Sequence, residues 1–165
     1  MEMVTDLRVV MRRWVSGVVI VTSTFEGHRH GMTVDSFTSV SIDPPLVTFT
    51  LSNSTRTHAL VRQSGLAGIT LLHSGQADLS DLFAGRYGDA DRFAGLDVFE
   101  LKTGVPLIRG GMGNLEGKVV HTFEMPSSTL FVVEVTAMIK EEDMEPLVYF
   151  NRAYHRIDHE HDVVN

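Results

Sequence analysis

The chain contains no cysteine, and this absence limits the chemistry open to it. Disulfides, thiolate metal sites, iron–sulfur clusters and cysteine nucleophiles are all excluded. The sequence also lacks a Gly-x-Gly-x-x-Gly fingerprint, a P-loop and a nucleophile elbow. Any redox chemistry must therefore reside on a bound cofactor, and any nicotinamide nucleotide must bind without a Rossmann domain.

Basic residues and long apolar runs are also scarce. The chain has 14 Lys and Arg against 21 Asp and Glu, a formal net charge of −7, and no basic stripe. This balance argues against a nucleic-acid partner, because phosphate neutralisation needs clustered cations. The apolar runs are strand-sized, far below the ~18 to 20 residues of a membrane helix, and no secretory signal is evident. We expect a cytoplasmic protein with no membrane partner.

The 165 residues predict one domain, with a core over about 5–157 and a polar tail. Apolar spacing predicts helices over 7–14, 55–63 and 78–87, the first with one buried face and a cap at Thr5 or Asp6. Val- and Ile-rich or alternating runs predict strands over 17–24, 32–42, 46–51, 66–72, 115–124 and 129–139. Residues 88–111 are rich in Gly, Asp and Pro and predict a long loop. Many strands with three short helices favour a closed or partly closed antiparallel barrel.

Hydroxyl side chains alternate with apolar ones over the strand that follows Gly31. This pattern gives a strand one polar and one core face, which suits a ligand site or simply a solvent-facing strand. Farther on, Ser52, Asn53, Ser54, Arg56 and Thr57 stand where a strand passes into a helix. Such a junction can hold a phosphate on free N–H groups, or serve only as a helix cap. Together the two segments suggest a flavin nucleotide site.

Five segments in order carry a family resemblance. In chain order they are Ser16–Thr22, Gly31–Val47 with Asp43-Pro44-Pro45, Asp91-Arg92-Phe93, Thr103–Leu107 and Pro146–Tyr154. Over about residues 5–157 the chain resembles the flavin reductase-like family. Its members are FMN-binding split barrels that include the reductase components of two-component flavin monooxygenases.

The resemblance implies a mainly β fold with short helices, the FMN-binding split β-barrel. It implies an NAD(P)H:flavin oxidoreductase that passes hydride to FMN, or to FAD, and supplies reduced flavin to a partner monooxygenase. It further implies a homodimer with each flavin near a subunit interface. Two alternatives stay open: an FMN-binding flavoprotein or electron carrier with weak or no reductase activity, and a small ligand-binding barrel that holds no flavin.

The resemblance also assigns roles to individual residues. The ring-binding segment is Thr33, Val34, Asp35, Ser36 and Phe37, whose amides, with the Ser36 hydroxyl, would follow the isoalloxazine edge. The phosphate-binding group is Ser52, Asn53, Ser54, Arg56 and Thr57, and the residues bordering the flavin are Phe83, Ala84 and Gly85. His155 would lie near the reacting face of the flavin as the catalytic residue. Asp91-Arg92-Phe93 would anchor the long loop by an internal salt bridge.

Two features depart from the family pattern. Asp35 stands where a small or amide residue is usual, and a carboxylate beside a reduced flavin would lower its reduction potential. Pro126-Ser127-Ser128 replaces the usual Gly-Asp-His, whose histidine faces the nicotinamide, and Val133 replaces a glycine. The second departure is the one that favours the flavoprotein alternative.

Histidine spacing offers a competing hypothesis of a metal site. His28 and His30, and His155 with His159 and His161, resemble ligand spacings. We place the first pair in a turn beside glycine and the last in a polar tail. Solvated surface histidines are therefore the favoured interpretation, and no metal is expected.

Overall fold

Antiparallel strands make up most of the regular secondary structure in a computed structural model that describes residues 3–88 and 91–157. The helices are α1 (Leu7–Met11), α2 (Arg56–Ser64) and α3 (Ala77–Phe83). The strands are β1 (Ser16–Gly17), β2 (Val19–Phe25), β3 (His28–Val34), β4 (Thr38–Ser41), β5 (Leu46–Ser52), β6 (Leu66–Leu71), β7 (Val98–Phe99), β8 (Leu107–Ile108), β9 (Gly113–Glu124), β10 (Ser128–Lys140), β11 (Val148–Phe150) and β12 (Ala153–His155). Among the described residues, no helix combines the length and apolarity that a membrane crossing requires.

The main sheet has seven strands in the order β3-β2-β6-β9-β10-β5-β4. Its two edge strands, β3 and β4, are consecutive in the chain and are separated only by residues 35–37. The sheet must therefore curve until its edges nearly meet, which produces a barrel with a seam. The Ser36 hydroxyl spans this seam, since it accepts from Thr50 N at 3.0 Å and donates to Thr50 O at 3.2 Å. The expected split β-barrel is confirmed.

Strand β2 is apolar along both faces because both are covered. Val19 and Val21 face the barrel interior, where they pack with Phe49, Phe131 and other buried side chains. Val18 and Ile20 belong to a second core outside the barrel, which contains Phe83, Phe93 and Leu147. This second core fixes α3 and the long loop against the barrel. It thereby places both elements beside the end of β3.

A buried carboxylate holds the long loop to the barrel. Glu116 of β9 is fully buried, and its carboxylate accepts from Lys102 N at 2.6 Å, Thr103 N at 2.9 Å and the Thr103 hydroxyl at 3.0 Å. Charge-assisted bonds of this kind compensate the burial of a charge. The start of the segment Thr103–Leu107 is therefore held in a fixed position on the barrel.

Most predicted elements are confirmed, and several need correction. The predicted strand 32–42 is two strands, β3 and β4, because the chain must cross from one sheet edge to the other. His28 and His30 lie on β3 rather than in the turn, which is formed by Glu26 and Gly27 with φ of 49° and 79°. Helix α3 ends at Phe83, and Gly85 follows it with a φ of 81°, a backbone conformation that favours glycine.

The prediction of a buried face on α1 is wrong for the single chain. Asp6 caps the helix as expected, accepting from Arg8 N, but none of its residues is buried. Leu7 is 71% exposed and Trp14 is 68% exposed. No other described element of the chain covers this apolar helix.

Candidate functional site

A groove formed by three adjoining cavities runs along the end of β3. The basic cavity, about 560 Å³, is lined by Arg29, His30, Thr33, Thr55, Arg56, Phe83, Ala84, Asp91, Arg92 and neighbouring side chains. The tyrosine cavity, about 200 Å³, is lined by Thr33, Asp35, Ala84, Arg86, Tyr149, Tyr154 and Val18. The terminal cavity, about 390 Å³, includes Trp14, Asp35, Ser36, Tyr149 and Arg152. Thr33 and Ala84 line both the basic and the tyrosine cavities, and Asp35 and Tyr149 line both the tyrosine and the terminal cavities, so the three are neighbours and are together called the groove.

Positive charge dominates the basic cavity. Its described lining carries three guanidinium groups, from Arg29, Arg56 and Arg92, against the single carboxylate of Asp91. Arg92 Nη1 donates to Gly31 O at 2.9 Å and to Phe83 O at 2.7 Å, so it joins β3 to the end of α3. Such a cavity favours an anion with several acceptor oxygens, because arginine presents several donors in a fixed fork.

The Asp91–Phe93 segment anchors the loop through a hydrogen bond, an ion pair and ring packing. Asp91 Oδ1 accepts from Phe93 N at 3.0 Å, and its Oδ2 lies 4.0 Å from Arg29. Phe93 is buried edge-on against Phe83, with ring centroids 5.3 Å apart. Arg29 lies over the Phe93 ring at 4.6 Å, so the same cluster holds one cavity arginine in place.

His30 is the titratable base of this cavity. Its Nδ1 lies 2.8 Å from the hydroxyl of Thr57, which is fully buried in α2. Burial lowers the pKa of His30 to about 4, with further contributions from the positive charges of Arg92 and Arg56. The imidazole is therefore neutral at physiological pH in the ligand-free protein.

The start of α2 contributes its first turn to the basic cavity. The Thr55 hydroxyl caps the helix, accepting from His58 N at 3.3 Å and donating to Ser52 O at 2.9 Å. Thr55 and Arg56 line the cavity, as predicted for Arg56. Thr57 does not line it, because the helix turns its hydroxyl inward to His30. A helix N-terminus and an arginine are thus placed together, which suits phosphate.

The other predicted phosphate residues serve a different purpose. Ser52, Asn53 and Ser54 do not line the basic cavity. Asn53 instead donates to Met125 O at 3.0 Å and accepts from the Thr129 hydroxyl at 2.8 Å. The side chain of Asn53 therefore fixes the β9–β10 turn against the start of α2.

The ring-binding segment is divided between groove and core. Thr33 lines the basic and tyrosine cavities and donates to Ser80 O at 2.6 Å, while Asp35 lines the tyrosine and terminal cavities. Ser36 lines the terminal cavity, although its hydroxyl is already bound to Thr50. Val34 and Phe37 belong to the barrel core instead. The two-residue repeat of β3 explains why Thr33 and Val34 face opposite sides, and it ends before residues 35–37, which connect β3 to β4.

Two of the three residues predicted to border the flavin, at the end of α3, line the groove. Phe83 and Ala84 line the basic cavity, and Ala84 also lines the tyrosine cavity. Phe83 is fully buried and packs so closely on Gly31 that a Cβ there would lie 2.8 Å from its ring. Gly85 does not line a cavity, and a Cβ at this position would lie 2.9 Å from Arg92 Nη2.

Two tyrosines, and not His155, face the groove from the C-terminal hairpin. Tyr149 and Tyr154 are directly paired across β11 and β12 and line the tyrosine cavity. The Tyr154 hydroxyl lies 2.8 Å from both Ser80 Oγ and Asp81 Oδ1, and burial, together with the Asp81 carboxylate, raises its pKa. His155 is on the opposite face, with Nε2 3.2 Å from Phe150 O. The structure therefore does not place His155 at the groove.

Metal binding has no support in the described residues, where no three His, Asp or Glu side chains are grouped to hold an ion. His159 and His161 lie outside the described residues. Sequence reasoning missed Arg29, His30, Thr55, Arg92, Tyr149 and Tyr154 as groove residues. The available signals were the adjacent basic pair Arg29 and His30 before Gly31 and the tyrosines of the segment Pro146–Tyr154.

Comparisons with known proteins agree on one family. The family model described as a flavin reductase like domain matches residues 11–158. An NADH-dependent flavin reductase of Rhodococcus sp. is 35% identical over 155 residues, which cover 92% of this chain and 85% of that protein. The styrene monooxygenase flavin reductase of Pseudomonas putida S12 is 34% identical with a TM-score of 0.83, covering 93% of this chain and 98% of that one. The NADH:FAD oxidoreductase SgcE6 of Streptomyces globisporus C-1027, solved with NAD and FAD fragments, is 28% identical with a TM-score of 0.87, covering 94% and 93%.

Proposed function

The chain belongs to the flavin reductase-like family, and on that premise we propose that it is an NAD(P)H:flavin oxidoreductase that reduces FMN or FAD. The observation that carries the proposal is the groove, in which a cavity with three arginines opens into one with two tyrosines. A flavin nucleotide has the same division, with phosphate at one end and a flat ring at the other. Relatives that serve monooxygenases support a partner monooxygenase for the reduced flavin.

The residues present fit the phosphate of a flavin nucleotide. Arg56 and Arg92 supply charge, and the first turn of α2 supplies main-chain N–H groups beside Thr55. Phosphate oxygens accept strongly from such donors. The remaining phosphate-group residues Ser52, Asn53 and Ser54 support this site indirectly, by holding the turn that precedes α2.

The ring end of the groove is formed by Thr33, Asp35, Ala84 and the two tyrosines. A bound flavin would accept, with a proton, the hydride that the nicotinamide releases. The chain's own contribution is to align the two rings and exclude water. Thr33 is fixed by Ser80 O, and Tyr154 by Ser80 and Asp81, so this end of the groove is preorganised.

We further propose that the protein is a homodimer. Large apolar side chains remain uncovered on two parts of the single chain, Leu7 and Trp14 near α1 and Phe123 and Met138 on β9 and β10. Exposed apolar patches of this kind mark interaction surfaces. Light scattering at micromolar concentration should give twice the chain mass, and a monomer with FMN bound would contradict this proposal.

The reductase proposal is tested by mixing the purified protein with FMN and NADH and following the loss of NADH absorbance. Oxidation that depends on both protein and flavin is the expected result, and FAD and NADPH are tested in parallel. If neither nucleotide is oxidised with either flavin although FMN binds, the chain is an FMN-binding flavoprotein of another activity. The replacement of Gly-Asp-His by Pro126-Ser127-Ser128 favours this second candidate.

A further inference from the structure

His30 lines the basic cavity and has one ring nitrogen bound to the protein. Nδ1 is bound to the Thr57 hydroxyl at 2.8 Å, and the residue lines the basic cavity while half-buried. Among the described residues, none forms a hydrogen bond with Nε2. If Thr57 donates to Nδ1, the neutral ring carries its proton on Nε2. His30 can then donate one hydrogen bond to a ligand in the cavity.

The charges around His30 explain why it is neutral without a ligand. Arg29 lies on β3, the same strand as His30, and Arg56 lies on α2. Arg92 and Asp91 come from the long loop, while α3 contributes only uncharged side chains to the cavity. A protonated imidazole would add a further positive charge to an already cationic cavity. Burial and the two nearest guanidinium groups therefore oppose protonation.

A phosphate in the cavity reverses this balance. A phosphate monoester carries about −1.5 to −2 charges at neutral pH and has three strong acceptor oxygens. Placed between Arg56 and His30, it offsets the guanidinium charges and accepts from Nε2–H. Both effects favour the charged imidazole, whose second N–H can donate to the Thr57 hydroxyl.

We propose that His30 takes up a proton when the phosphate of a flavin nucleotide enters the basic cavity, and that this makes His30 a specificity-determining residue for phosphorylated flavins. The inference rests on the proposed function. Riboflavin lacks the phosphate, so it leaves His30 neutral. The bound phosphate raises the pKa of His30, and the contribution of His30 to FMN affinity, measured as the difference between wild type and H30Q, therefore increases as the pH falls through the His30 pKa of the complex. The gain is complete below the His30 pKa of the free protein, which is about 4.

The direct test follows the histidine ring proton signals by NMR as a function of pH, with the His30 signal identified by its loss in H30Q. In the free protein this signal should titrate near 4, as burial and the arginines require. With saturating FMN it should titrate at least one pH unit higher, and with riboflavin it should not move. Each pH unit between the His30 pKa of the free protein and that of the complex corresponds to a tenfold gain in FMN affinity at a pH below both values.

The second test measures the FMN dissociation constant against pH for the wild type, H30Q and H28Q. His28 is the matched control, because it lies on the same strand, is exposed and does not line the cavity. The wild type and H28Q should show the same pH dependence of the FMN dissociation constant. In H30Q the change of this constant over the same pH range should be at least tenfold smaller. T57V, which removes the hydroxyl partner, should reduce the dependence as well.

The outcomes separate this inference from the proposed function. If FMN binds but the His30 signal still titrates near 4, or if H30Q keeps the wild-type pH dependence, the inference is wrong and the reductase proposal stands. If neither FMN nor FAD binds at any pH, the proposed function itself fails.

Discussion

Replacing Arg56 with alanine should weaken FMN binding about tenfold and leave riboflavin binding nearly unchanged. A charge-assisted hydrogen bond contributes about 1.5 to 3 kcal/mol. Arg56 lines the basic cavity at the first position of α2 but is exposed, so solvent screening favours the lower end of that range. A loss of about 1.4 kcal/mol corresponds to a tenfold weaker dissociation constant.

The assay is a titration of flavin fluorescence with wild type, R56A and R56K at two salt concentrations. Lysine keeps the charge without the planar fork, so R56K should restore only part of the affinity. R62A is the matched control, since Arg62 lies on the same helix but pairs with Glu124, away from the cavity. Equal losses for FMN and riboflavin in R56A, or an equal loss in R62A, would place the phosphate elsewhere.

Three further predictions concern the reaction, the packing and the flavin. Ser128→His should lower the KM for NAD(P)H, because the histidine would supply the nicotinamide contact that the family pattern implies. His155→Ala should change the kinetics little, because His155 faces away from the groove. Steady-state kinetics of both variants tests this, and the reverse pattern would restore His155 as the catalytic group. Gly31→Ala should lower the free energy of unfolding by about 1 to 3 kcal/mol in urea, because its Cβ would clash with a buried ring, while Gly17→Ala, with open space around it, should not show this loss. Asp35→Asn should make the reduction potential of bound FMN more positive, since it removes a negative charge from the ring end of the groove, and an unchanged potential in a spectroelectrochemical titration would argue against that placement.

The regular elements could be predicted because their signals are local. Helix α2 lies within one residue of its predicted bounds, with Thr55 as its cap and Gly65, at a φ of 67°, as its end. Asp43-Pro44-Pro45 ends β4, and the apolar run of β2 reflects burial on both faces. Each of these outcomes depends on a few neighbouring residues and on standard backbone preferences.

The groove could be predicted only in part, because it depends on distant contacts and on register. Arg29 and Arg92 come together from segments with no shared periodic pattern. The choice of Tyr154 over His155 depends on the two-residue turn at Asn151 and Arg152, whose φ angles of 48° and 65° fix the hairpin register. A shift of one residue would exchange the faces of Tyr154 and His155.

The seam between β3 and β4 gives the barrel a defined place to open. Among the described residues, the seam is crossed by residues 35–37 and by the two hydrogen bonds of Ser36 to Thr50 of β5, whereas the neighbouring strands of the main sheet are joined by ladders. In native-state amide exchange, the parting of the β3 and β4 edges is therefore a low-energy sub-global opening, because no ladder has to break between them. A ligand that spans Thr33 and Asp35 lies on one side of this seam. Because opening the seam releases the ligand, the binding free energy is added to the free energy of opening. Occupancy of the groove should therefore slow amide exchange in β4, a strand that the ligand does not contact.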